Sequence, residues 1–140
     1  MGQQQIESLN RDGRYISAPK GVSMRPMIIS GRDAVLVEKI KDDPKRYDLL
    51  MYEGKNDMGI IHRVIHAYDV YCIICGDNCW RYEHVDKSRI KGIVTKFYRK
   101  GKWHDVDEIP YKLYVHLWVD FIFFRRIIFY IRDKIKRFKK

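Results

Sequence analysis

The chain has 140 residues, 46% of them hydrophobic, with 9 Gly, 4 Pro and a formal net charge of +10. That length and composition suit one domain burying about two-thirds of its unfolded surface, and they exclude a disordered or low-complexity chain. The opening MGQQQIESLN has no apolar run, so no secretory leader is expected, and Cys72, Cys75 and Cys79 read as free thiols in a reducing compartment.

In chain order, residues 1–13 form a polar N-terminal arm or short helix. Arg14–Ser17 reads as a strand leading through Ala18 and Pro19 to a turn at Gly21. Residues 33–38 and 48–52 are compact apolar runs with β-type composition. The first ends in the charged loop KDDPKR and the second in the turn cluster Glu53, Gly54, Lys55, Asn56, Asp57. Residues 59–65 and 70–74, separated around Tyr68 and Asp69, read as a hairpin. Residues 89–98 alternate again, with Gly92 marking an expected bulge, and Lys102 and Trp103 begin a last short strand. From residue 111 onward there is no Pro or Gly, and Leu117, Phe121, Phe124, Ile128, Ile131 and Ile135 recur at spacings of three and four. That spacing predicts a helix. The expected fold is mainly β: a small coiled antiparallel sheet, barrel-like, over residues 14–109, with one long basic amphipathic C-terminal α-helix over 110–140.

Three short segments carry possible chemistry: Gly21-Val22-Ser23-Met24-Arg25-Pro26, His62 within the run Ile60 to Ile65, and Gly76-Asp77-Asn78. A serine hydroxyl keeps its proton at neutral pH and needs an adjacent base to act as a nucleophile. Histidine, with an unperturbed pKa of about 6.5, is the side chain best matched to that task. A carboxylate on its other ring nitrogen would fix tautomer and orientation, and such a triad is recognised by geometry and not by chain order. Asp77 is the first candidate for that carboxylate and Asp86 the reserve. Asp77 can equally cap the turn through an Asx bond.

These segments resemble the conserved boxes of the type I signal peptidases and their self-cleaving-repressor relatives. Gly21 to Pro26 is similar to the G-x-S-M-x-P nucleophile box. Asp33-Ala34-Val35 and Tyr47-Asp48-Leu49-Leu50 resemble the two G-D-hydrophobic strands that follow. His62-Arg63-Val64-Ile65 is similar to the base box, in the form with histidine where most bacterial members have lysine. Gly76-Asp77-Asn78 matches the G-D-N box, and Val85 with Ile90 to Val94 matches the strand behind it. The resemblance runs from about Tyr15 to Val94. It implies a β-rich serine peptidase with Ser23 as nucleophile and His62 as base. It implies an oxyanion site at the Gly21–Ser23 turn, using the Ser23 N–H, with Met24, Pro26, Arg63 and Asn78 as support. Gly21 stands where some members carry a serine that adds an oxyanion donor. The implied partner is a peptide or protein substrate with small residues before the scissile bond, bound as an added strand. A leader or signal-like peptide near a membrane fits that description.

Neither a cofactor nor a metal is expected. Cys72, Cys75, Cys79 and His84 suggest zinc by type, but residues 72 and 75 of an extended run point to opposite faces. A repressor-like switch would use lysine as base and needs a DNA-binding segment that the twenty residues before Ser23 do not hold. No nucleic acid partner is therefore expected.

Residues 125–140 hold eight Lys and Arg against one acid, Asp133. With so much apolar surface on the same helix, that charge suits an anionic membrane surface through residues 113–140. Asp120, Arg125 and Arg126 interrupt the apolar stretch and disfavour a span. The expectation is a membrane-associated protein on the cytoplasmic face, with a tail whose removal after Pro110 leaves the peptidase body working. The alternative is a non-catalytic module that binds an anionic partner.

Overall fold

The computed structural model describes residues 2–55 and 58–139. Eight strands form one antiparallel sheet: β1 (Arg14–Ser17), β2 (Ala34–Lys39), β3 (Leu49–Glu53), β4 (Gly59–Ala67), β5 (Tyr71–Cys75), β6 (Glu83–Asp86), β7 (Ile90–Arg99) and β8 (Lys102–Asp105). Their spatial order is β1-β2-β7-β3-β4-β5-β6, with β8 paired to β7. Strand β7 is long enough for three neighbours. It pairs with β2 on one edge, and on the other with β3 through its first residues and β8 through its last. The order ends at β1 and β6, so the sheet is not a closed barrel.

Alternation along the strands covers both faces of this sheet. Leu49 and Met51 of β3 point into one core with Val35, Val37, Val94 and Phe97, which Met24, Met27 and Ile28 of the loop after β1 complete. Leu50 and Tyr52 point the other way and pack with Val64, Cys72, Ile74 and Val85. The N-terminal segment is helix α1 (Gly2–Asp12), docked through Leu9, which is buried against the first core. Gly92 makes that docking possible. A Cβ there would lie 2.6 Å from Val37 Cγ1 and 3.2 Å from Leu9 Cδ2. The expected bulge falls beside it, where Met51 pairs with Gly92 and Tyr52 with Ile90, leaving Lys91 unpaired. Of the turn cluster expected at 53–57, Asn56 and Asp57 lie outside the described residues.

The C-terminal segment is two helices and not one, α2 (Ile109–Asp120) and α3 (Ile122–Phe138). The break falls at Phe121, with φ −103° and ψ 27°. No Pro or Gly marks it. Arg125 folds back to donate from Nε to the Trp118 carbonyl at 3.3 Å, so a side chain supplies a donor at the end of α2. Val115, Val119 and Ile122 pack against Ile65 and Cys75 in a third core. The helix pair is part of the body, not a removable tail. Among the described residues no helix is long and apolar enough to cross a membrane.

Candidate active site

Ser23 lies on the loop between β1 and β2, just after Gly21, whose φ of 88° belongs to the left-handed region that favours glycine. The loop is fixed from several sides. Met24 and Met27 are buried in the first core. The buried Asp33 carboxylate accepts from the Ile29 N–H at 2.9 Å and from Arg32, and Arg99 donates to the Met27 carbonyl. From across the molecule, the Asn78 N–H donates to the Ser23 carbonyl at 2.8 Å and its side-chain amide to the Val22 carbonyl at 2.9 Å. Pro26 is exposed in the same loop and lines a cavity of about 540 Å³ with Met27, Phe97, Tyr111 and Tyr114.

His62 is held on β4 opposite Leu50 of β3, so its side chain shares the face of the second core. There the Ser23 hydroxyl donates to His62 Nε2 at 3.0 Å. On the other side of the ring, His62 Nδ1 lies 2.8 Å from Glu83 Oε1. A carboxylate can only accept, so Nδ1 carries the proton and Nε2 keeps the lone pair that faces serine. Strand pairing explains why Glu83 arrives. Val64 pairs with Ile74 and Ile74 with Glu83, which places Glu83 on the same face as His62. The Tyr52 hydroxyl donates to Glu83 Oε2 and so holds the carboxylate from its far oxygen. Burial pushes the Glu83 carboxyl up, but hydrogen bonds from His62 and Tyr52 outweigh it and hold the group below its ordinary range. Burial, reinforced by the Glu83 charge, pushes the Tyr52 phenol up and keeps it protonated.

The carboxylate at the imidazole is therefore Glu83, and not Asp77 as expected from the sequence. Asp77 belongs to the opposite face. It accepts from Arg63 Nε at 3.2 Å, from Arg63 Nη2 at 2.8 Å and from the Tyr114 hydroxyl at 2.7 Å, with both charged side chains fully buried. Arg63 also donates to the Tyr47 carbonyl and the Tyr111 hydroxyl. Burial works against the Arg63 charge, but Asp77 more than restores it, so the group stays protonated. Asp86 is no substitute, being exposed at the end of β6 opposite Tyr71. Tyr52 is a second site residue that sequence reasoning missed.

Gly76 shows how closely these parts meet. A Cβ there would lie 2.7 Å from the Ser23 carbonyl oxygen, 2.9 Å from Cys79 Sγ and 3.1 Å from His62 Nε2. Only glycine lets this turn sit against both the Ser23 loop and His62. A second cavity of about 620 Å³ opens beside Glu83, lined also by Asn78, Cys79, Trp80 and Tyr130. All three cysteines are free. Cys72 packs in the second core and Cys75 in the third, on opposite faces of β5.

Helix α3 clamps the turn from outside. Arg125 Nη1 donates to the carbonyls of Gly76, Asp77 and Cys79 at 2.9–3.2 Å. Arg126 donates to the Trp80 carbonyl, and Arg132 to the side chain and carbonyl of Asn78. Three of the cations expected to face lipid thus point into the protein.

No protein-family model, curated protein or solved structure matches this chain.

Proposed function

We propose that the chain is a serine-type endopeptidase, with Ser23 as nucleophile, His62 as general base and Glu83 as the carboxylate that orients the base. The observation that carries this reading is the continuous relay of Ser23 Oγ to His62 Nε2 at 3.0 Å and His62 Nδ1 to Glu83 Oε1 at 2.8 Å. In this reading Ser23 Oγ attacks the carbonyl carbon of a peptide bond while its proton passes to His62 Nε2. Glu83 stabilises the resulting imidazolium without taking its proton. The tetrahedral oxyanion is received by the Ser23 N–H, which donates to no other group among the described residues. Collapse breaks the C–N bond, and the leaving amine takes the proton from His62. Water then attacks the Ser23 ester, again giving its proton to His62, and the acid product leaves with the serine hydroxyl restored.

The substrate class is a peptide with small side chains before the cleaved bond, of the leader or signal-like kind. The cavity along Asn78 to Glu83, lined by Glu83 itself, supports this reading by offering room for a chain beside the relay. The test is a mass-spectrometric survey of a peptide library treated with the purified protein. Wild type should give cleavage after small residues, and Ser23→Ala and His62→Ala should each abolish it. The double variant should be no worse than either, since groups acting as a unit are not additive. Cleavage that survives in Ser23→Ala would refute the mechanism. No cleavage by wild type would favour a non-catalytic binding module.

A further inference from the structure

Helix α3 is amphipathic in the reverse of the usual sense. Its polar residues Arg125, Arg126, Arg132 and Asp133 face the body and bind the 76–80 turn or Trp80. Its apolar residues, Ile122 and Phe129 apart, face outward. Along α2 and α3, Leu117, Phe121, Phe124, Ile128, Ile131 and Ile135 are each 49–63% exposed. A helix packed only against its own domain buries the apolar stripe and exposes the charges. Within α3, from Phe124 to Ile135, this ridge runs for roughly 16 Å at a rise of about 1.5 Å per residue. The four ridge residues of α3, Phe124, Ile128, Ile131 and Ile135, present on the order of 400 Å², the size of a monomer's largest and often functional patch at about 300–600 Å².

We infer that this ridge docks on an anionic lipid surface, lying in the interface with the sheet domain on its water side. Charge decides between occupants. The one acid of α3, Asp133, is held by Arg132 and Trp80. Lys134 and Arg137 line the second cavity beside Glu83, while Lys136 and Lys139, exposed at the C-terminal end, have no competing acid on α3. A second copy would bring the same +10 excess against them, whereas acidic headgroups supply the opposite charge. Full insertion is opposed because it would pull Arg125 and Arg126 from the carbonyls they bind. In-plane docking leaves those bonds intact and buries only the outward side chains.

Ser23→Ala protein serves for the test, so the result does not depend on cleavage. It is sedimented at low salt with vesicles of phosphatidylcholine alone and of phosphatidylcholine with 30% phosphatidylglycerol, and analysed by ultracentrifugation without vesicles. The expected result is a monomer that binds the acidic vesicles about tenfold or more tighter than the neutral ones. Binding should fall at least tenfold in Ile128→Gln/Ile131→Gln, whose outward positions leave its circular dichroism and melting unchanged. Four results would overturn the proposal. The first two are retention of the protein in the supernatant with acidic vesicles and equal binding to both vesicle types. The third is a double variant that binds like its parent. The last is a dimer contact at the ridge, lost in the variant.

Discussion

Glu83→Gln and Asp77→Asn neutralise two carboxylates six residues apart, and the two variants should fail differently. Glu83 holds the imidazole proton on Nδ1, and the amide would hold the ring less well. We expect kcat to fall by about 10²–10⁴ with the fold retained. Asp77 neutralises a fully buried guanidinium, and removing that partner should cost about 3–5 kcal/mol of stability. Steady-state kinetics and urea unfolding on both variants separate the roles; the reverse ranking would restore Asp77 as the orienting acid. Glu83 also gives stability a pH dependence. Its folded carboxyl lies below the ordinary 4.5, so its contribution is fully present above that pH and is lost as pH falls through the lower folded value. Acid unfolding should therefore steepen below about pH 4.5 in wild type and less so in Glu83→Gln, a modest effect because the side chain is partly exposed. At Gly76 a methyl group has no room between the Ser23 carbonyl and His62 Nε2. Gly76→Ala should lose turnover by tenfold or more through displacement of Ser23 and His62, measured on the same peptide.

Among the elements, α3 carries the most consequence for the turn that meets the site. Arg125→Met keeps much of the side-chain bulk but removes the donor shared by three carbonyls. A loss of about 1–3 kcal/mol is expected, with kcat reduced because the turn touching His62 loosens; unchanged unfolding would show that the clamp is dispensable. This clamp could not be read from the sequence. Periodicity located the helix and its apolar stripe, but not which side faces the protein, and burying apolar residues is the default assumption. Most strands were legible because alternation and turn residues mark them. The exception was β6, whose sequence Glu-His-Val-Asp holds a single apolar residue, and it carries Glu83. Its pattern did hold a clue: Val85 points into the core, so Glu83 two residues earlier must point the same way, while Asp86 points out. Ser23 and His62 were legible as residue types in ordered segments. Their carboxylate was not, since a strand pairing two removed from His62 decides it.

Across the whole molecule, the two faces of one sheet keep two acid–base groups apart. The second-core face holds Tyr52, His62 and Glu83. The other holds Arg63 and Asp77 beneath α2. Because β4 alternates, His62 and Arg63 are neighbours in sequence yet serve opposite faces, one reaching the proposed nucleophile and one tying sheet to helix. The central claim is that this arrangement makes Ser23 a nucleophile. Peptide mapping after treatment with a fluorophosphonate tests it most directly. One phosphonylated residue is expected, Ser23, with labelling abolished in His62→Ala and slowed in Glu83→Gln. Unlabelled Ser23 in folded wild-type protein, or equal labelling in His62→Ala, would contradict it.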